Sequence, residues 1–183
     1  MLSLKHYLRL TILAWLVVAA PCYADAAARS DHDSQAMYLV NFAKFTEWPD
    51  AAFTDAAAPI VIGIAGDEVL RYTVDNVLRG KTFHGRRLKT QNVKNAKDAA
   101  NVHLIFIGGL AGSRAVEFLK AVGSLPVLTV GDVDGFCAQG GMIGFLLENN
   151  RLRFEIRFDA TEQAGIRVSS RMLTLAKTIH GKK

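Results

Sequence analysis

Apolar and polar residues follow two different periods along the chain, and the alternation between these periods predicts the order of the structural elements. Three short segments are continuously apolar, residues 60–64, 102–107 and 127–130, which is typical of strands buried on both faces of a sheet. Segments with apolar residues three and four positions apart follow Asp67 and Ser113 and predict amphipathic helices. This order predicts an α/β domain with a mixed, mostly parallel sheet.

Further elements are predicted at the two ends of this pattern. Residues 34–46 form an amphipathic segment, which predicts a first helix. Asn149 and Asn150 precede residues 152–158, where apolar and charged residues alternate strictly, as in an antiparallel hairpin with one buried face. A last helix is predicted over residues 169–179. The expected fold is a single-domain, three-layer sandwich over residues 34–183, with a C-terminal antiparallel hairpin and flanking helices.

The N-terminus has the three-part pattern of a secretory signal. A basic segment precedes an apolar run over residues 11–20, and small residues follow at the positions that a signal peptidase inspects. The apolar run is shorter than a membrane-spanning helix requires. We therefore predict that residues 1–24 are a signal peptide cleaved between Ala24 and Asp25, with a second cleavage position after Ala26. A retained membrane anchor is the alternative interpretation.

Removal of the signal peptide changes the charge and the cysteine count. The full chain has a formal charge of +5, but residues 1–24 hold two of its 22 Lys and Arg residues and no acid, which leaves 20 basic and 17 acidic residues and a charge of +3. This small excess predicts no nucleic-acid partner. The Ala-rich residues 25–33 are expected to be flexible. Cys137 is the lone cysteine of the mature chain; we favour its burial beside Phe136, and a free thiol or an intermolecular disulfide remain alternatives.

No residue pattern of a catalytic or metal site is present. The chain lacks a G-x-S-x-G elbow, an H-E-x-x-H pair and a phosphate-binding P-loop, and its five histidines show no ligand spacing. His103 lies inside an apolar run and is interpreted as a hydrogen-bonded core histidine. Asp132 and Asp134 follow a strand, where catalytic carboxylates often lie, but turn formation explains them as well. We therefore predict that the protein is not an enzyme and uses no cofactor or metal.

A glycine-rich connection between a strand and a helix could bind an anion. It runs from residue 108 to Arg114, and glycines allow an anion to approach the backbone while a helix N-terminus offers free N–H groups. The candidate ligand-binding residues are Gly109, Gly112, Ser113 and Arg114. A tight strand-to-helix turn is the structural alternative.

A basic stretch around residues 81–89 could bind a partner. Its candidate residues are Arg86, Arg87 and Lys89, which would contact an acidic protein surface or lipid headgroups. A solvated loop and strand edge would have the same composition and is the alternative.

An ordered set of short motifs resembles a known family. The set opens with Tyr38-Leu39, residues 41–45 and Glu47-Trp48-Pro49. Later members are Gly85-Arg86, residues 103–107, Leu128-Thr129-Val130, Asp132, Phe136, residues 140–143, residues 153–156, Ala164-Gly165, Ser169-Ser170 and residues 173–176. In this order, over about residues 35–179, they resemble the YfiR family of periplasmic proteins.

The resemblance implies a function that the composition does not. YfiR-like proteins are periplasmic regulators, and the best-known member represses an inner-membrane diguanylate cyclase by binding its periplasmic sensory part, which lowers cyclic di-GMP signalling and disfavours biofilm. The resemblance is also compatible with a homodimer. A periplasmic sensor that binds a small anion or nucleotide-like ligand without catalysis is the alternative function. Val102 stands where family members usually carry a cysteine, so the resemblance carries no internal disulfide to this chain.

Overall fold

The computed structural model of the protein describes residues 20–109 and 112–181. Most of the predicted signal peptide lies outside the described residues, as do Leu110 and Ala111 of the glycine-rich connection. The helices are α1 (Ala20–Lys44), α2 (Glu68–Leu78), α3 (Gly112–Val122), α4 (Phe158–Gln163) and α5 (Ser170–Leu175). The strands are β1 (Thr46–Glu47), β2 (Ile60–Ala65), β3 (Thr82–Phe83), β4 (Arg86–Asn92), β5 (Leu104–Ile107), β6 (Leu128–Gly131), β7 (Ile143–Glu148), β8 (Arg151–Arg157), β9 (Arg167–Val168) and β10 (Thr178–His180).

Eight strands form one sheet in the order β10-β8-β7-β6-β5-β2-β4-β3. The neighbours from β4 to β7 are parallel, β7 and β8 form the antiparallel hairpin, and β10 lies parallel to β8. The mixed, mostly parallel sheet predicted from the apolar runs is therefore confirmed. From β2 the chain continues to β4 on one side of this strand and then to β5 on its other side. The strand order therefore reverses between β2 and β5, which is where ligand sites of such sheets usually lie.

The sheet is covered on both faces, as predicted for a three-layer sandwich. Ile60, Ile62 and Ile64 of β2 belong to a buried cluster with residues of α1 and α2. Val61 and Ala65 of the same strand belong to a second cluster with residues of α3 and of a 3-10 turn over Ala96–Asn101. Each fully buried large aliphatic side chain contributes about 1.5–3 kcal/mol of transfer free energy. The uninterrupted apolar sequence of β2 therefore follows from two cores that meet at one strand.

The first helix is longer than predicted. It begins at Ala20 rather than residue 34, so residues 25–33, expected to be flexible, continue the helix. Alanine is the strongest helix former, which accounts for this extension. Among residues 31–44 the first buried side chain is Ala36, and in the preceding turn His32 and Gln35 interact with the carboxyl groups of Asp67 and Asp132. No helix within residues 20–109 and 112–181 is long and apolar enough to cross a membrane.

The C-terminal segment is shorter as a helix than predicted. Ser169 caps α5, because its side chain accepts a hydrogen bond from the Met172 N–H, but the helix ends at Leu175. The prediction of a helix to residue 179 was therefore wrong: Thr178 and Ile179 are β-branched and extend the sheet as β10, with Ile179 opposite Ile156. The preceding hairpin turn is confirmed, since Asn149 and Asn150 have φ of 49° and 58°, as its tight turn requires.

Candidate functional site

The glycine-rich connection predicted to bind an anion faces a carboxylate of the protein itself. Gly109 lies at the carboxyl end of β5, in the left-handed region at φ 61°. Its N–H interacts with the carboxyl group of Asp132, which follows β6, and the Gln35 side chain of α1 interacts with the same group. Asp67, at the end of β2, accepts a 3.0 Å hydrogen bond from His32. An anion at Gly109 would therefore compete with Asp132 for the N–H group.

The charge at this position is unfavourable to an anion. Asp132 is exposed at the surface, but partial desolvation of its carboxyl group raises the pKa, and the negative charge of Asp67 raises it further against the lowering effect of the Gly109 N–H. Two carboxyl groups thus lie close together at the carboxyl edge of the sheet. This part of the predicted anion site is acidic.

The other predicted anion ligands lie at the helical end of the connection. Ser113 and Arg114 are exposed in the first turn of α3, and Gly112 begins that helix. Arg114 lines a surface cavity of about 420 Å³ together with Lys94 and Lys97. Asp98 and Glu117 line the same cavity, so its positive excess is small. Arg114 also lines a cavity of about 270 Å³ with Gly66 and Asp67, next to Gly109, so basic and acidic side chains both border the glycine-rich connection.

The basic stretch divides into one structural and two exposed side chains. The Arg86 guanidinium lies 3.7 Å from the centre of the Phe53 ring. It donates hydrogen bonds of 2.9 Å and 2.8 Å to the carbonyls of Asp55 and Ala58. These contacts fix the segment before β2 against β4. Of the predicted partner-binding residues, Arg86 is thus already engaged within the domain.

Arg87 and Lys89 are exposed on the other face of β4. Successive side chains of a strand point to opposite faces, so these two cations lie side by side, away from Arg86. Lys89 is in register with Val61 of β2. No ion pair with either side chain is present among the described residues. The two residues remain available to a partner.

A groove beside the short β1–β9 pair was not predicted. Thr46, Trp48, Phe53, His84 and Arg167 line a cavity of about 280 Å³, with Glu47, Asp50, Ile60 and Arg86 around them. An adjoining cavity of about 270 Å³ shares Glu47, His84 and Arg167 with it. The sequence signal was the motif Glu47-Trp48-Pro49, which we interpreted only as part of a family pattern.

Polar side chains hold the mouth of this groove. Arg167 pairs with Glu47 at 3.0 Å across the two short strands, in an exposed position where an ion pair contributes little stability. His84 donates a 3.0 Å hydrogen bond from Nε2 to the Lys44 carbonyl at the end of α1. The hairpin β3–β4, which carries the basic stretch, thereby forms one wall of the groove.

Two buried polar groups lie beneath the groove. The Thr46 hydroxyl is fully buried and, among the described residues, has no hydrogen-bond partner. His103 is 8% exposed; its Nδ1 accepts a hydrogen bond from Val61 N–H at 3.1 Å, and its Nε2 has no partner of good geometry within the described part of the chain. The Trp48 indole donates a 2.9 Å bond to the His103 carbonyl. Because an unpaired buried polar group lowers the stability of the folded state, these two atoms are unusual in a protein interior.

His103 is a core histidine, held neutral by its surroundings. Its ring stacks on Phe53 with centroids 4.5 Å apart. Burial lowers the pKa of His103, and the positive charges of Arg86 and Lys89 lower it further, although the Ala52 carbonyl acts in the opposite direction. A hydrogen bond from Val61 to Nδ1 requires that the proton be on Nε2. The interpretation as a hydrogen-bonded core residue therefore holds for one of its two nitrogens.

Cys137 is buried and unreactive. Its side chain is 3% exposed and belongs to no disulfide. Burial raises the pKa of the thiol to about 12, and the charge of Glu155 adds to the effect. Because the thiolate is the reactive form, this thiol is a poor nucleophile in the folded protein. Burial was the favoured prediction, and a surface disulfide to another chain would need the segment around Cys137 to open.

Within residues 20–109 and 112–181 we find no assembled catalytic or metal-binding set. No three His, Cys, Asp or Glu side chains are placed to hold a metal ion. Asp134 lies in a turn, where its carbonyl accepts a hydrogen bond from Gln139. The described residues form an α/β domain whose surface carries grooves and an exposed basic strand. A model of the YfiR/HmsC-like family matches residues 32–177, so the chain belongs to the YfiR/HmsC-like family. The family comprises periplasmic regulators rather than enzymes, and membership implies a signalling partner.

Comparisons with individual proteins add little. No curated protein matches the chain. A solved conserved domain protein from Vibrio cholerae O1 biovar El Tor is similar at 13% identity and a TM-score of 0.48, over 66% of this chain and 54% of that one. An ABC domain in complex with L-Trp, from Streptococcus pneumonia, is similar at 11% identity and a TM-score of 0.46, over 65% and 54%. The chain spans about half the length of these two proteins.

Proposed function

We propose that this protein is exported to the periplasm and there binds and represses the periplasmic sensory part of an inner-membrane diguanylate cyclase. The observation that carries the proposal is membership of the YfiR/HmsC-like family, through a match that covers nearly the whole predicted mature domain. Cleavage between Ala24 and Asp25 would release the domain from the membrane. A repressor without catalysis acts by binding the inactive state of its receptor more tightly than the active state.

Arg87 and Lys89 are the contact residues we favour. Both are exposed on one face of β4 and lack an ion-pair partner in the described structure. An acidic surface on the cyclase would gain from both charges, and juxtaposed like charges after reversal would repel it. Arg86 is not favoured as a contact residue, because its guanidinium is already bonded to the Asp55 and Ala58 carbonyls.

Deletion of the chain in its native host, with measurement of intracellular cyclic di-GMP, tests the proposal. We expect cyclic di-GMP to rise, to fall again when the full chain is restored, and to stay high when the chain lacks residues 1–24. Loss of the effect when one cyclase gene is also deleted would identify the partner. An unchanged cyclic di-GMP level after deletion would contradict the proposal.

Charge reversal tests the contact residues with purified components. The variant Arg87→Glu, Lys89→Glu should bind the cyclase's periplasmic part at least about tenfold more weakly, because attraction becomes repulsion at two exposed positions. Lys120→Glu, Arg151→Glu makes the same change of net charge at exposed positions elsewhere and should bind as the wild type does. Equal affinity of all three folded proteins would exclude this face of β4.

The groove beside Trp48 favours a second function, that of a periplasmic small-ligand sensor. Its walls carry Arg86, Arg167 and His84, and two unpaired polar groups lie buried beneath it. A small anion could pair with the guanidinium groups of Arg86 and Arg167, and binding there could tune repression. Titration of the purified protein with inorganic phosphate and with nucleotides, followed by Trp fluorescence and compared with Arg167→Ala, tests this function. No saturable change below millimolar concentrations would exclude it.

A further inference from the structure

One edge of the large sheet is open along most of β4. The two residues of β3 pair only with Arg86 and Arg87, with Phe83 opposite Arg86. From Leu88 to Asn92, β4 pairs with β2 on its inner side. On its outer side, no described strand pairs with these residues. The outer backbone groups of Leu88–Asn92 are therefore not paired by any described strand, and they lie next to the two exposed cations.

The direction of each N–H group follows from the ladder. Val93 donates its N–H to the Ile64 carbonyl of β2 at 2.9 Å. Because successive residues of a strand direct their N–H groups to opposite sides, the N–H groups of Thr90 and Asn92 point away from β2, as does that of Leu88. The open edge thus offers donors and acceptors at every second residue, which is what an added strand requires.

The side chains of the edge select the chemistry of an added strand. Arg87 and Lys89 point to one face, and Lys94 follows the end of the strand; all three are exposed. A second copy of β4 would bring like charges together, which disfavours pairing between two copies of this edge. An extended segment with carboxylates on that face would instead form cross-strand pairs of opposite charge. Leu88 and Thr90, on the other face, are half-buried and would suit β-branched or apolar residues.

From this geometry we infer that the outer edge of β4 binds an extended acidic segment of the signalling partner as an additional strand of the sheet. This inference rests on the proposed function for the identity of the partner, but the edge can be tested without the partner. The two exposed cations provide selectivity, and the backbone of Leu88–Asn92 provides the hydrogen bonds.

The first experiment uses the purified mature chain and a synthetic probe. The probe is a nine-residue peptide in which Glu alternates with Val, and the control peptide replaces every Glu by Lys. With the acidic peptide we expect slower hydrogen exchange at the amides of Thr90 and Asn92, and binding at least tenfold weaker to Arg87→Gln, Lys89→Gln. The control peptide should have no effect. Equal effects of both peptides, or protection only at the Trp48 groove, would overturn the inference.

The second experiment uses a matched pair of variants at Thr90. Its hydroxyl bonds to Asp75, so Thr90→Val removes this side-chain bond and keeps the edge N–H, whereas Thr90→Pro removes both. In cells deleted for the chain, we expect Thr90→Val to restore low cyclic di-GMP and Thr90→Pro to fail, with both proteins folded in the periplasm. Repression by Thr90→Pro equal to that by Thr90→Val would overturn strand addition while leaving the proposed function intact. If the wild type itself does not repress, the proposed function fails, and the peptide experiment still decides the inference.

Discussion

A cysteine placed at Gly144 should form a disulfide with Cys137, and this variant would report the compartment in which the chain folds. An ideal Cβ at Gly144 would lie 3.4 Å from the Cys137 sulfur. In a disulfide the corresponding separation is about 3.0 Å, from an S–S bond of about 2.05 Å and a bent angle at sulfur. The backbone of Gly144 is not in the left-handed region, so a side chain is allowed there. The carboxyl end of Glu155, 3.1 Å from this Cβ, must move aside.

The size of the stabilisation follows from the loop. A bond between positions 137 and 144 closes a loop of eight residues, and restricting such a loop in the unfolded chain stabilises the folded state by about 2.5 kcal/mol. Displacement of Glu155 opposes this gain. The free energy of unfolding, measured by urea titration, should therefore be higher by about 1–2.5 kcal/mol in oxidised than in reduced Gly144→Cys. Gly144→Ala measures the cost of the added Cβ alone.

The assay counts free thiols in protein recovered from cells and denatured in an alkylating reagent. The periplasm is oxidising and the cytosol is reducing, so we expect no free thiol in mature Gly144→Cys from the full chain and two in a chain that begins at Asp25. Two free thiols in both would refute either the geometry or the export. Refolding of the purified variant in a glutathione redox buffer separates these causes, because disulfide formation there depends on the geometry alone.

Three further substitutions test the site and its support. Because burial lowers the pKa of His103, the unfolded state binds a proton at this residue before the folded state does as the pH falls, and the wild type loses up to about 1.4 kcal/mol of stability per pH unit below about pH 6.5. His103→Asn keeps an acceptor near Nδ1, so urea titrations at pH 7.5 and 5.5 should show a smaller loss of stability for this variant. An equal loss in wild type and variant would contradict this prediction. Arg86→Ala should lower the free energy of unfolding by about 2 kcal/mol, because it removes the stacking on Phe53 and two hydrogen bonds to carbonyls. The exposed control Arg87→Ala should lower it by about 0.5 kcal/mol or less, and equal losses would show that Arg86 has no structural role. Gly141→Ala would place a Cβ 2.1 Å from the Phe136 ring and should lower the free energy of unfolding by about 1–3 kcal/mol. In a double-mutant cycle, Phe136→Leu should recover part of this loss, and additive effects of the two substitutions would show that the strain lies elsewhere.

The fold was predictable where burial is two-sided or strictly one-sided. The apolar run of β2 packs against a core on each face, and the alternation of apolar and charged residues in β8 reflects a single buried face. In both strands the sequence pattern therefore predicts the burial. Within the segment 169–179, residues 170–175 are helical as predicted, and only the end was mispredicted, because Ile179 suits both a helix and a strand. Only the tertiary partner Ile156 makes Ile179 part of a strand. The pairing of β1 with β9 joins segments more than a hundred residues apart, and no local pattern encodes it.

The candidate sites were less predictable than the fold, because the contacts of a side chain depend on residues that are distant in the sequence. Arg86 and Arg87 are neighbours of the same type, yet one is bonded to the carbonyls of Asp55 and Ala58 and the other is exposed. The alternation of side chains along β4 predicts that Arg86 and Arg87 point to opposite faces of the sheet. It does not predict which of these faces contacts the segment before β2. Similarly, the glycine pattern at Gly109 indicated close approach by an acceptor, and that acceptor is the protein's own Asp132.

A repressor that works by differential affinity needs more than two exposed charges, which favours an interface that includes the backbone edge. Shifting a receptor from almost fully active to almost fully inactive requires a difference of about 5.5 kcal/mol in binding to the two states. Exposed ion pairs at Arg87 and Lys89 would supply about 0.2–1 kcal/mol each. Several hydrogen bonds along Leu88–Asn92, at about 0.5–1.5 kcal/mol each, would supply much of the remainder, provided that the acidic segment is extended in only one state of the cyclase. Neutralising both charges should therefore weaken repression, whereas Thr90→Pro should abolish it, because proline removes an edge N–H and is not accommodated in a strand paired on both sides.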